Sequence, residues 1–231
     1  MKRGRSQDVT AVIVAAGRGR RFGGLKQFAM FRGKPLIYHS IRAFQGVSDI
    51  HRIVLVVPAE RLNWAGAFVL KNRISKPVDV VAGGRLRQES VQCGLNLVDR
   101  GYVAIHDGVR PFVSLALVRQ GIRLVRKYKA VVFGRPVTET VRRVAGRRSV
   151  GTVNKAGLYT TQTPQFFEVT MLKKAFRAAL RKGREFTDDA AVVEDSGIPV
   201  YLFSGPEENQ KITYRHQLRS IDKTGKPGKL E

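Results

Sequence analysis

From Val9 to Pro136 the chain alternates apolar runs with segments of helical periodicity, and few folds can use that order. The stretch "VTAVIVAAG" is continuously apolar, as expected of a strand covered on both faces. "PLIYHSIRAFQG" follows with helical spacing, Pro35 near its start and Gly46 at its end. The series continues as strand "IHRIVLVVP", helix "RLNWAGAFVLKNR", strand "VDVVAGG" and helix "RQESVQCGLNLV". Strand "YVAIHDG", helix "SLALVRQGIRLVRKY" and strand "AVVFGRPV" complete it. This alternation predicts βαβ units, a parallel sheet and right-handed crossovers.

The rhythm changes after Pro136. "TETVRRVAGRRSVGTVNKAGLYTTQ" is rich in Val and Thr and is broken by the turn-like "AGRRS" and "NKAG". It predicts a hairpin or arm over about residues 137–161 rather than another βαβ unit. "TMLKKAFRAALRKG" returns to helix. "FTDDAAVVEDSG" reads as a short helix with Thr187 or Asp188 as its N-cap, and "PVYLFSG" as a final strand. The polar tail ending "DKTGKPGKLE" is expected to fray. No repeat, linker or low-complexity block interrupts the chain, so residues 1–231 read as one domain with a projecting arm.

A chain of 231 residues buries roughly 70% of its unfolded surface and needs no staple. Cys93, its one cysteine, excludes an internal disulfide and any multi-cysteine zinc site. It reads as buried filler on an apolar helix face. No apolar run approaches the ~18 residues of a membrane span. "MKRGRSQD" is basic but lacks the apolar stretch of a secretory signal, so a soluble, cytoplasmic chain is expected.

Forty-two Lys and Arg against eighteen Asp and Glu give a net charge of +24. Such a surface attracts polyanions by counterion release, and a nucleic-acid-binding protein is one reading of it. The cations are spread along the chain, however, with no RNP-type aromatic motif or zinc-finger spacing. An Arg-rich surface without a nucleic-acid partner is the other reading, and the spread favours it.

"AAGRGRRFGGLKQF", residues 15–28, places a glycine loop directly after the first strand. Backbone N–H groups at such a loop face anions, which points to phosphate binding. The specific fingerprints fail. The dinucleotide pattern wants Gly where Phe22 stands after Gly17 and Gly19. Gly19 and Gly24 have the Walker gap, but Leu25 intervenes before Lys26 and Gln27 follows. What remains is a loop whose Ala15, Ala16 and Gly17 let a base or sugar approach the backbone, with Arg21 and Lys26 available to clamp phosphates. A second stretch, "AIHDGVRPF", sets Asp107 and Arg110 just past a buried strand, where ligands bind in open parallel sheets. An Asp near nucleotide phosphates is a natural Mg²⁺ partner; an Asp–Arg pair that merely caps the strand end is the alternative. His106 reads as a satisfied core imidazole and Trp64 as packing.

The ordered set "AAGRGRRF…KQF", "AGGRLRQESVQCGL", "HDGVRPF", "TTQTPQFF", "FTDDA" and "NQKIT" strongly resembles the 2-C-methyl-D-erythritol 4-phosphate cytidylyltransferases, over roughly residues 9–220. Related pentitol-phosphate cytidylyltransferases share most of it, so ribitol 5-phosphate or another pentitol phosphate is the rival acceptor. The resemblance implies a Rossmann-like, doubly wound, mostly parallel α/β sheet, with a β-arm exchanged across a homodimer. It implies CMP transfer from CTP to the sugar-alcohol phosphate with Mg²⁺, releasing pyrophosphate.

The resemblance also implies roles. Arg21 and Lys26 stabilise the α-phosphate, and Lys211 reaches that phosphate or the acceptor. Ala15, Ala16, Gly17, Gly19, Gly83, Gly84 and Ser90 lie by the nucleotide, with Arg87 at the family arginine. Asp107 is the metal- and substrate-side aspartate, braced by Arg110. Thr140, Thr187 and the arm residue Lys155 belong to the acceptor pocket, with Thr140 and Lys155 supplied by the partner subunit. Lys155 stands where the family usually has Arg, so it offers a point charge instead of a bidentate fork. The attacking group is an already ionised phosphate, so no general base is required.

Overall fold

A computed structural model describes residues 8–218. Strand β1 (Val9–Val14) runs into the glycine loop, which contains two 3₁₀ turns, Arg20–Phe22 and Lys26–Phe28. A small hairpin of β2 (Met30–Phe31) and β3 (Lys34–Pro35) precedes α1 (Leu36–Gln45). Then come β4 (Ile50–Val57), α2 (Leu62–Lys71), β5 (Val78–Ala82), α3 (Arg87–Leu95) and β6 (Tyr102–Asp107). After α4 (Leu115–Tyr128) and β7 (Ala130–Pro136), a separate hairpin forms from β8 (Val141–Ala145) and β9 (Arg148–Val153). The chain continues as β10 (Tyr159–Glu168), α5 (Val169–Arg181), α6 (Asp189–Glu194) and β11 (Tyr201–Ser204).

Among the described residues, seven strands form one sheet in the order β11-β7-β10-β6-β1-β4-β5. The chain winds outward from β1 to β4 and β5, then returns through α3 to β6 on the other flank of β1. That reversal opens a crevice at the carboxyl ends of β1 and β6, the place where open α/β sheets bind ligands. β1, β4, β5 and β6 are parallel, as the alternation predicts. β11 joins β7 in parallel at the far edge.

β10 is the strand that the apolar runs do not announce, and it is the antiparallel one, paired with both β6 and β7. Its first half, "YTTQT", is polar, and Pro164 removes a ladder donor. The register against β7 shifts between Gln162 and Phe166, which lets the sheet carry the proline. Residues 159–161, in the span read as arm, lie in this strand.

Helices cover both faces. On one side Ile37, Ile41 and Phe44 of α1 pack with Leu117, Val118, Ile122 and Val125 of α4 over Ile13, Leu55 and Phe166. The other side packs Val91 and Leu95 of α3, Leu172 and Phe176 of α5 and Val192 and Val193 of α6 over Val12, Val56 and Phe167. Each such fully buried large side chain contributes about 1.5–3 kcal/mol. Ser114 starts α4 by accepting from the Leu117 amide at 3.1 Å. Of the two candidate caps for α6, Asp188 does the work, accepting from Ala191 N at 3.1 Å. Trp64 stacks on Phe68 with ring centroids 4.8 Å apart. Cys93 on α3 is half-buried rather than buried. Among the described residues no helix is long and apolar enough to cross a membrane. The basic start of the chain and its final polar tail lie outside the described residues.

Candidate active site

A cleft of about 550 Å³ opens at the carboxyl edge, between the glycine loop after β1, the loop after β5 and the end of β6. Local chemistry shapes its walls. Gly19 takes a left-handed φ of 62°, and a Cβ there would meet the Gly24 carbonyl oxygen at 2.0 Å, so the loop folds back on itself only with glycine. Gln27 is fully buried and donates through Nε2 to the carbonyls of Ala15 at 2.6 Å and Gly17 at 3.0 Å, bracing the loop from beneath. Across the cleft, Gly83 approaches so closely that a Cβ would lie 2.3 Å from the Ala16 methyl and 2.7 Å from Ser90 Oγ. Glu89 closes the start of α3 by accepting from the amides of Arg85 and Leu86, at 2.6 and 3.2 Å. A small core of Phe22, Phe31, Leu36 and Ile212 fastens the glycine loop to the segment carrying Lys211.

The floor is a charged cluster. Asp107 at the end of β6 receives Lys211 Nζ at 2.7 Å and Arg87 Nε at 3.2 Å. Arg87 turns its two other nitrogens on Asp189, at 2.8 and 3.1 Å, in a bidentate pair. Burial opposes the charge on Asp107, but Arg87, Lys211 and Arg110 together override it and hold the carboxyl well below the usual carboxylate range. Burial likewise works against the Arg87 charge and is overridden by Asp189 and Asp107. Among the described residues no carboxylate forms an ion pair with Lys26. Its own burial, with like charge on Lys211, pushes its pKa down to about 8, and Asp107 offsets this only in part. Among the described residues no hydrogen bond or ion pair holds the side chain of Arg18, Arg20 or Arg21, all exposed at the cleft mouth. Unpaired cations around an ionised carboxylate suit a polyanion that brings its own charge-neutralising partner.

The fold brings most of the expected residues together. Ala15, Ala16, Gly17, Gly19, Arg21 and Lys26 line one side of the cleft; Gly83, Gly84, Arg87, Ser90, Asp107 and Lys211 line the rest. Arg110 lies behind the floor, donating to the carbonyls of Asn209 at 2.8 Å and Thr161 at 3.4 Å. Thr187 is exposed just before α6. Thr140 and Lys155 lie exposed on the arm, away from the cleft, where Lys155 donates to the Thr138 carbonyl. Sequence reasoning missed Asp189, Gln27, Thr163 and Asn209; the doubled Asp of "FTDDA" was the one local signal for the first.

A family model described as 2-C-methyl-D-erythritol 4-phosphate cytidylyltransferase (IspD) matches residues 9–223. The chain belongs to this family. A cytidylyltransferase of that name from Bacteroides thetaiotaomicron is 40% identical over 217 residues, covering 91% of this chain and 96% of the relative. One from Clostridium novyi is 38% identical over 213 residues, covering 90% and 92%. A crystal structure of 4-diphosphocytidyl-2C-methyl-D-erythritol synthase from Anaerococcus prevotii superposes with a TM-score of 0.83 at 25% identity, covering 95% of this chain and 99% of that one. These matches favour neither the pentitol-phosphate nor the nucleic-acid alternative.

Proposed function

We propose that the cleft transfers CMP from CTP to 2-C-methyl-D-erythritol 4-phosphate, giving the 4-diphosphocytidyl alcohol and pyrophosphate. One observation carries this: the glycine loop delivers Arg21 and Lys26 to the same cleft as the Asp107–Lys211 pair, in a chain of this family. An oxygen of the acceptor phosphate bonds to the α-phosphorus. The bond from that phosphorus to the bridging oxygen breaks, and its electron pair leaves on pyrophosphate. Charge accumulates on the non-bridging α-oxygens, and fixed cations aimed there lower the barrier. Arg21 and Lys26 take that role. Lys211, anchored by Asp107, orients the acceptor phosphate.

Ala15, Ala16, Gly17, Gly19, Gly83, Gly84 and Ser90 border the space for base, ribose and phosphates. Arg87 serves this space indirectly, since its donors are engaged by Asp189 and Asp107. The family reaction implies Mg²⁺. Among the described residues no group of three or more His, Cys, Asp or Glu could cage an ion. Mg²⁺ is ordinarily held by one or two carboxylates together with substrate phosphates, and the ionised Asp107 fits that donor set. When bound, the ion neutralises triphosphate charge and favours departure of pyrophosphate.

Residues 1–231 form one nucleotidyltransferase domain in this proposal, and the arm over 137–161 pairs two copies. Thr140 and Lys155 then complete the acceptor pocket of the other subunit, with Thr187 and Arg110 contributed in cis. The enzyme is placed in the cytoplasm. Pyrophosphate release with CTP and methylerythritol phosphate is the test. Preferred turnover of ribitol 5-phosphate in direct competition would reject the acceptor assignment.

A further inference from the structure

Beneath the catalytic pair lies a polar network that the reaction scheme does not use. Gln165 of β10 faces Ile105 of β6, so two residues on Thr163 comes level with Asp107. Pro164 interrupts the ladder there, and a side chain replaces it: the Asp107 amide donates to Thr163 Oγ1 at 3.0 Å. The same hydroxyl lies 3.2 Å from His106 Nδ1. The other ring nitrogen, Nε2, lies 3.2 Å from the Arg110 carbonyl, which can only accept. Burial pushes the His106 pKa down to about 4 and keeps the ring neutral, so the direction of the chain is fixed. Nε2 carries the imidazole proton, Nδ1 accepts the hydroxyl hydrogen, and the hydroxyl oxygen accepts from the Asp107 amide.

Thr163 has a second attachment. Its carbonyl accepts from Asn209 Nδ2 at 2.8 Å, and the Asn209 carbonyl accepts from the Arg110 guanidinium at 2.8 Å. The Ile212 amide then donates to the Val109 carbonyl at 2.9 Å. These bonds flank Lys211 on both sides. Thr163 thus grips the strand end bearing Asp107 with its hydroxyl and the loop bearing Lys211 with its carbonyl. Thr163 is 5% exposed, while Asn209 and His106 are fully buried, so water does not compete for these bonds.

We propose that Thr163 is a positioning residue: its hydroxyl fixes the backbone of Asp107 and thereby the place at which Lys211 meets the acceptor. Its effect on turnover rests on the function proposed above; its effect on the Asp107 amide does not. The test compares Thr163→Val, which keeps the branched shape and the carbonyl, with Thr163→Ser, which keeps the hydroxyl. Hydrogen exchange at the Asp107 amide should quicken about 10-fold or more in Thr163→Val and return near wild type in Thr163→Ser. kcat should fall between about 10- and 100-fold in Thr163→Val, with Thr163→Ser recovering most of it. In a Lys211→Ala background, adding Thr163→Val should cost no more than about a further 2-fold, because the two changes then disable one unit. An Asp107 amide equally protected in Thr163→Val, or penalties that multiply independently of Lys211, overturns the proposal. A wild-type enzyme inert with CTP and methylerythritol phosphate, yet showing the exchange effect, would defeat the functional assignment and leave the bracing of Asp107 standing.

Discussion

The cleft and the arm carry cations in opposite ways. In the cleft, Lys211 and Arg87 are locked on Asp107 and Asp189, and the loop bearing Arg21 and Lys26 is braced by the buried Gln27. On the arm, Arg142, Arg143, Arg147 and Arg148 stand exposed on a two-stranded ribbon, with Thr140 and Lys155 at its base. A buried, hydrogen-bonded setting preorganises charge, and an exposed one leaves it free and screened. The difference teaches that, on the function proposed above, one chain brings the nucleotide-side residues together by itself, whereas Thr140 and Lys155 would reach an acceptor only where another surface meets them.

The sharpest way to break this comparison is on the glycine loop of the cleft. Lys26→Ala and Arg21→Ala should each lower kcat by about 10²-fold or more with partial retention of CTP binding, as measured by single-turnover kinetics. Turnover close to wild type would mean that the loop is not where charge develops. On the arm, Thr140→Val and Lys155→Ala should raise KM for methylerythritol phosphate by about 10-fold, with the CTP KM little changed. Mixed dimers carrying one dead cleft and one damaged arm would tell whether the arm acts in the other subunit.

A pH profile sharpens the contrast further. Lys26 loses its charge above its depressed pKa of about 8, so kcat/KM for CTP should fall as pH rises past that point. The acceptor KM should stay flat over the same range. The smallest effect expected is on stability. Gly121→Ala on α4 would push a Cβ to 2.1 Å from the Phe166 ring and lower stability by about 1–3 kcal/mol in a denaturant titration, with the cleft chemistry unchanged in the folded fraction.

The central strands were legible because a strand buried on both faces must be apolar along its whole length, as in "VTAVIV" and "VLVV". β10 was not, since its first half is polar, its first three residues are exposed and it holds Pro164. The cleft residues after β1, β5 and β6 could be placed because loops at strand ends are local in sequence. The network beneath them could not: Thr163 meets Asp107 across 56 residues and Asn209 across 46. Arg87 shows the same limit. Its match to the family arginine in "GGRLRQES" suggested a nucleotide contact, and of the two carboxylates that engage it, Asp107 lies 20 residues away and Asp189 102.

The reversed strand β10 has a mechanical consequence. It starts at Tyr159, a short turn after the hairpin, and reaches Thr163 four residues on, about 13 Å at the rise of an extended strand. Antiparallel pairing opposite Gly134, Arg135 and Pro136 of β7 supports this short rod. A load placed on the projecting ribbon therefore has this short stretch of strand as its covalent path to the hydroxyl that holds the Asp107 amide.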